Sequence, residues 1–260
     1  MAEKPGFDFN ASRRDMMAAA MILTRIPVPF PHHETPDTAR SYWAFPLIGI
    51  VVAILPVSIG AALAASGLPL MAAAAVMLLG IMLLTGGLHH DGLADLADGL
   101  GGRNQARRLE IMRDSHIGSF GTLALIIFTI INITCLAAIG EGDLTLMAQA
   151  LMAVAAMSRG MMGLQRWLHD TPDQNGLAAV TGKPNRNIML VGMGLSFLLG
   201  MSFLPLAQVL AMMAIGVLIT LILGRFMVHW LGGVNGDGLG ATQQITEATM
   251  LMALAMMVAT

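Results

Sequence analysis

Gly86-Gly87-Leu88-His89-His90-Asp91-Gly92-Leu93-Ala94-Asp95-Leu96-Ala97-Asp98-Gly99-Leu100-Gly101-Gly102 follows directly on an apolar run with the length of a membrane span. Its three aspartates stand at i, i+4 and i+7. At the helical repeat they fall within an arc of about 60° on one face. Carboxylates crowded in that way repel one another, so a divalent cation among them, or a retained proton, is needed to hold them together. The flanking glycines let the backbone turn sharply and let a bulky ligand come close. This stretch reads as a Mg²⁺ site at a membrane surface.

The composition around it agrees. The chain has 260 residues, 56% hydrophobic and 12% charged, whereas soluble domains carry about 25% charged residues. Mean hydropathy is +0.72. The expected fold is all-α: a polytopic membrane helical bundle of about seven transmembrane helices with an N-terminal interfacial helix. It is read as one membrane-embedded catalytic domain, residues 1–260. Within it, 1–42 form the tail and interfacial helix, and 43–260 form the bundle. A net charge of −2 excludes a general nucleic-acid binder, which is basic. The lone Cys135 forms no intrachain disulfide. The 23 methionines suit adaptable filling of helix contacts. The start Met1–Gly6 lacks the basic-then-apolar pattern of a signal peptide.

Outward from the motif, residues 1–12 are polar and expected to fray. The apolar part of 13–26 is too short to cross a membrane. It fits an interfacial helix ending at Thr24-Arg25-Ile26-Pro27. Spans are expected at 43–65, 70–88, 120–139, 147–168, 188–204, 206–231 and 244–260. Trp43 is placed as an interface anchor. The polar motif loops, 89–119, 169–187 and 232–243, all follow even-numbered spans. The turns after spans one, three and five hold no Lys or Arg. The positive-inside rule therefore assigns the N-terminus and the motif loops to the cytoplasm.

Two further clusters belong with the first. Arg107-Arg108 and Arg113-Asp114-Ser115-His116 offer cations to phosphate oxygens, and Gly118-Ser119 opens span three where backbone N–H groups face an anion. Inside-positive arginines beside a helix cap give the same pattern without a ligand. Asn235-Gly236-Asp237 with Glu247 supplies two more carboxylates that complete a second metal position, or else an Asx turn capping a helix. Arg159 lies within span four, where an arginine is costly and faces a polar cavity. Arg166 is better placed to snorkel, and Lys183 follows in the next loop. No Walker A loop, GxGxxG motif or Ser-His-Asp arrangement is evident. The pieces converge on phosphoryl or nucleotidyl transfer by displacement, with positioning and charge neutralisation as the main sources of rate.

The signature Gly86-Gly87-Leu88-His89-x-Asp91-Gly92-Leu93-Ala94-Asp95-x-x-Asp98-Gly99 resembles the central motif of the cobalamin synthases, the adenosylcobinamide-GDP ribazoletransferases. Leu23–Pro29, Phe45–Gly49, Leu109–Ser115, Ser158-Arg159-Gly160 and Gly236-Asp237-x-Leu239-Gly240-Ala241 resemble other stretches of that family, in its order. His116 and Asn235 depart from its common Arg and Thr, and His90 stands at a variable position.

The resemblance implies a Mg²⁺-dependent enzyme of the prokaryotic cytoplasmic membrane. A ribose hydroxyl of α-ribazole, or of its 5′-phosphate, attacks the phosphorus nearest the cobinamide of adenosylcobinamide-GDP, and GMP leaves. In that frame Asp91, Asp95, Asp98, Asp237 and Glu247 are the metal candidates. Asp91, Asp95, Asp98 and Asp237 are the catalytic ones, with Asp95 or Asp98 an alternative acceptor for the proton. His89, Arg113, Asp114, Ser115, Arg159, Lys183 and Asn235 are the substrate-binding candidates. Membrane lipid surrounds the chain, and a homo-oligomer is compatible with the sequence. The rival readings are a CDP-alcohol phosphotransferase, whose Ala-Arg pair is missing after Asp91-Gly92, and a divalent-cation transporter, which calls for ionisable residues near mid-span.

Overall fold

The structure is a computed structural model, described over residues 8–30, 36–172 and 181–258. Among the described residues it is helical throughout, without strands. In chain order the helices are α1 (Phe9–Leu23), α2 (Thr38–Ser41), α3 (Phe45–Ala65), α4 (Leu70–Thr85), α5 (Leu88–Gly99), α6 (Gln105–Met112), α7 (Ser119–Gly142), α8 (Leu144–Leu168), α9 (Arg186–Met201), α10 (Leu206–Leu231) and α11 (Gly236–Val258). A single 3-10 turn, Tyr42–Ala44, joins α2 to α3. Residues 1–7, 173–180 and 259–260, which hold most of the expected frayed tail, half of the loop 169–187 and the end of the last span, lie outside the described residues.

The apolar runs set the helix positions closely. Four helical segments are long and apolar enough to cross a membrane: Thr38–Ala65, α7, α8 and α10. The pair α4–α5 passes the same test as one segment bent by 90°. Among the described residues that gives four or five spans by length and composition, which leaves the expected count of seven unconfirmed. α9 is apolar but has 16 residues, and α11 carries Thr242, Gln243, Gln244, Thr246 and Glu247 in its buried face. Both helices occur where spans were expected. α11 starts earlier than expected, at Gly236, so two thirds of the glycine-rich stretch 232–243 is helix rather than loop.

α8 is the axis of the bundle. It is buried along most of its length, whereas α3, α7 and α10 are buried along less than half of theirs. Their outer faces carry Val51, Ile54, Leu55, Ile126, Ile130, Leu218 and Ile222. An apolar exterior of that extent is stable against lipid rather than water, and the protein is a multi-pass membrane protein. Small residues let the helices approach closely, as expected where lipid supplies no hydrophobic driving force between them. A Cβ on Gly80 would lie 2.6 Å from Pro56 Cβ, at the contact of α4 with α3.

α1 is capped by Asp8, whose carboxylate accepts from the amides of Asn10 and Ala11. Its buried Asp15 accepts from Trp43 Nε1 at 3.1 Å and pairs with Arg40 at 3.4 Å. Trp43 therefore ties α1 to the head of α3. α6 docks on the C-terminal end of α10. Gln105 Nε2 donates to Leu231 O (2.8 Å) and Arg108 to Trp230 O (3.2 Å), with the Arg108 guanidinium 4.1 Å over the Trp230 ring. Cations and donors at that end satisfy the carbonyls a helix leaves unpaired.

Candidate active site

The bend between α4 and α5 makes the site. Gly86 (φ 67°) and Gly87 (φ 74°) are both left-handed, a pair of conformations that glycine adopts without strain. The chain thereby folds α5 back along α7: Ala94 and Asp98 lie at Gly121, near the start of α7, and His90 lies beside Asn132, further along it. α11 crosses α5 at Gly92, where a Cβ would stand 2.6 Å from Asp237 O. That close approach brings the third acidic group to the first. The charges of Asp91, Asp98 and Asp237 all act on Asp95. Asp237, from a distant part of the chain, thus lies beside the first acidic group.

Two chambers meet here. The closed one, about 320 Å³, has Leu23, Tyr42, Phe45, Met162 and Leu239 among its walls and His89, Asp91, Thr181, Asn235 and Asp237 among its polar groups. The wide one, about 750 Å³, is lined by Arg25, Gly86, Gly87, Asp95, Asp114 and Ser115 among others. Asp91 and Arg113 line both. All of this lies at one end of the bundle: the starts of α3 and α11, the ends of α1 and α4, and the last turns of α8.

The remaining residues are placed as follows. Asn235 caps α11, accepting from Gly238 N (2.9 Å), and its Nδ2 donates to Asp237 Oδ2 (2.9 Å). The Asx cap and the site contact are therefore the same residue. Asp114 lines the wide chamber and accepts from both the amide (3.1 Å) and Nδ1 (2.7 Å) of His116, which hold its carboxyl below the usual carboxylate range. His89 is 1% exposed, and its Nε2 finds no partner among the described residues.

Four of the candidate residues have partners within the protein. Asp98 shares the face of Asp91 and Asp95, but its two oxygens accept from Gly118 N (2.7 Å) and Gly121 N (2.8 Å). It closes the start of α7, where free amides and the helix dipole favour a carboxylate. Glu247 stands ten residues beyond Asp237 on the same helix, about 15 Å along its axis, so the two cannot share one ion. Instead it accepts from Gln243 Nε2 (2.6 Å) and its charge faces Arg159. Arg159 donates to Ala155 O (2.9 Å) and is 1% exposed. It lines neither chamber. Lys183 pairs with Asp170 at 2.8 Å and holds that carboxyl below its usual range, also away from both chambers.

Arg25, Tyr42 and Thr181 were not singled out by the sequence, although Arg25 sits in the Thr24–Pro29 break. Among the described residues no group of three or more His, Cys, Asp or Glu side chains stands ready as a metal cage. Asp91, Asp95, Asp114 and Asp237 are the carboxylates that line the cleft, with Asp114 turned to His116. That suits an ion held by one or two carboxylates and completed by water and substrate phosphate, the usual manner of Mg²⁺.

Comparison with known proteins agrees with this picture. The family model described as cobalamin-5-phosphate synthase matches residues 15–255. An adenosylcobinamide-GDP ribazoletransferase of Rhizobium johnstonii is 39% identical over 253 residues, covering 93% of this chain and 96% of the relative. One from Sinorhizobium medicae is 37% identical (93% and 96% covered) and one from Escherichia coli 36% (91% and 97%). No solved structure matches the chain. A match of this extent, with the motif aspartates Asp91, Asp95 and Asp237 gathered in one cleft, places the chain in the cobalamin-5-phosphate synthase family.

Proposed function

We propose that this protein is an adenosylcobinamide-GDP ribazoletransferase of the prokaryotic cytoplasmic membrane, with the cleft on the cytoplasmic side. It transfers cobinamide phosphate from adenosylcobinamide-GDP to α-ribazole or α-ribazole 5′-phosphate and releases GMP. The observation that carries this reading is the junction of the two chambers, where Asp91 and Arg113 border both spaces. A reaction between two large molecules needs two spaces that share one reactive point, with an acceptor for a proton and a cation for phosphate.

The displacement joins the ribose oxygen to the phosphorus nearest the cobinamide and breaks that phosphorus's bond to the bridging oxygen, which leaves on GMP. The hydroxyl proton passes to a carboxylate of the cleft, with Asp91, Asp95 and Asp237 as the acceptors at hand. Arg113 offers its guanidinium to the phosphate oxygens, bidentately where geometry permits. Asn235 holds Asp237 in place, and Ser115 offers a hydroxyl to the diphosphate. The residues fit Mg²⁺: Asp91, Asp95 and Asp237 would hold it, and when bound it neutralises diphosphate charge. Fixed dipoles and charges in a cleft walled by apolar helices act more strongly than in water.

The test is direct. Purified protein in proteoliposomes, given adenosylcobinamide-GDP, α-ribazole and Mg²⁺, releases GMP, and EDTA stops it. Release of CMP from a CDP-alcohol, with none of GMP, overturns the reading in favour of a lipid head-group transferase.

A further inference from the structure

The two chambers differ in shape and in chemistry, and the difference matches the two reactants of the proposed reaction. This inference rests on that reading. The closed chamber has a volume of about 320 Å³, at the lower end of small-molecule sites. It is too small for a corrin ring with its peripheral amides, and suits one nucleoside. Its inner walls are aliphatic and aromatic: Leu23, Tyr42, Phe45 and Met162. Tyr42 and Phe45 stack on each other at 4.5 Å between centroids, which fixes both rings.

Two nucleosides take part in the reaction, guanosine in the donor and ribazole in the acceptor. Guanine carries several hydrogen-bonding groups along its edge, which would stay unpaired against Leu23, Phe45 and Met162. A benzimidazole-type base carries a single ring-nitrogen acceptor. The polar groups of this chamber include Asp91 and Asp237, which a ribose hydroxyl would meet, Thr181, Asn235, and the buried His89, whose Nε2 has no partner among the described residues. A ligand hydroxyl supplies the hydrogen bond that His89 lacks.

The wide chamber has the opposite character. Arg25 is exposed, and its backbone amide donates to Leu84 O (2.8 Å) at the end of α4. Its side chain lies across Gly86, where any Cβ would run into the guanidinium. Glycine at 86 thus serves both the bend and the seat of Arg25. No carboxylate among the described residues forms a salt bridge with Arg25. It borders the same space as Arg113, Asp91 and Asp95. Two guanidiniums from different segments, Arg25 after α1 and Arg113 after α6, line this space, and a pair of guanidiniums is what a diphosphate binds.

We infer that the closed chamber holds the nucleoside acceptor, that the wide chamber holds the diphosphate donor, and that Arg25 is a diphosphate-binding residue paired with Arg113. The two chambers then meet where the ribose hydroxyl faces phosphorus.

The experiment separates the Michaelis constants of the two substrates, with GMP release as readout in proteoliposomes. Leu109→Trp narrows the closed chamber from the peripheral helix α6. It raises KM for α-ribazole about 10-fold or more and leaves KM for adenosylcobinamide-GDP within about twofold. Arg25→Gln, at an exposed position, does the reverse, and Arg25→Lys recovers part of the loss. Equilibrium dialysis of labelled α-ribazole with the protein alone gives a second reading: Leu109→Trp weakens binding and Arg25→Gln leaves it unchanged. The division is overturned if Leu109→Trp raises the donor's KM instead, if both variants raise the same KM, or if neither changes its own. Wild-type protein that releases no GMP overturns the proposed function itself, whatever the dialysis shows.

Discussion

The cleft at the head of α5 and the polar layer between α8 and α11 are built from the same residue types, yet they answer to different demands. In the cleft, Asp91 and Arg113 border open space, and Asp95 feels three other carboxylates. In the layer, Gln243 donates to Ser158 Oγ (3.0 Å) and to Glu247, Gln244 donates to Gln243 Oε1 (2.8 Å), and Arg159 bonds the carbonyl of its own preceding turn. The cleft gathers its charged groups around open space, as a site for a charged ligand does. The layer pairs most of its polar groups with one another, as buried polar groups in a membrane protein do. An ionisable residue near a span is therefore a functional signal when it also borders a space that a ligand can enter.

Substitutions separate the two regions, and the largest effect belongs to the cleft. Asp91→Asn or Asp237→Asn lowers the rate of GMP release by about 10³-fold or more, because a proton acceptor and a fixed charge are lost from the reacting centre. The folded protein, followed by circular dichroism in detergent, stays intact. In the layer, Arg159→Met leaves the Glu247 carboxylate without its facing cation in the interior. Together with the lost bond to Ala155 O it costs about 1–3 kcal/mol of stability, read as a drop in melting temperature. Activity falls in step with the folded fraction.

Asp98 lies between the two extremes. Asp98→Ala removes two amide partners at the start of α7 and costs about 1–2 kcal/mol. Asp98→Asn retains one acceptor oxygen and recovers much of the melting temperature. Had Asp98 been a reacting group, both variants would be equally inactive. The smallest effect falls outside both regions. Lys183→Ala breaks an exposed pair with Asp170, worth less than about 1 kcal/mol, and changes neither KM beyond about twofold.

The helices were legible because each apolar run is bounded by glycine, proline or charge. Pro69, Pro205 and the left-handed Gly86 and Gly232 stand directly at helix ends. The membership of the site was legible only in part. Helical periodicity places Asp91, Asp95 and Asp98 on one face, but it cannot say that the third meets the amides of Gly118 and Gly121. Those lie twenty residues and more away, on another helix. Reading 232–243 as a loop left the path from Asp237 to Glu247 undefined. Once α11 begins at Gly236, the ten-residue gap becomes a fixed distance. The closed chamber left no local trace at all. It exists because Leu23, Tyr42, Met162 and Leu239, each an ordinary apolar residue in its own segment, come together at one end of the bundle.

The central claim is that a divalent ion and the diphosphate meet in the cleft and not in the layer. Mn²⁺ follows Mg²⁺ in its preference for oxygen ligands, and its binding is read by electron paramagnetic resonance with adenosylcobinamide-GDP present. The account predicts that wild type and Glu247→Gln hold the ion alike, and that the Asp91→Asn, Asp237→Asn double variant does not. Retained binding in the double variant, with loss in Glu247→Gln, would contradict it.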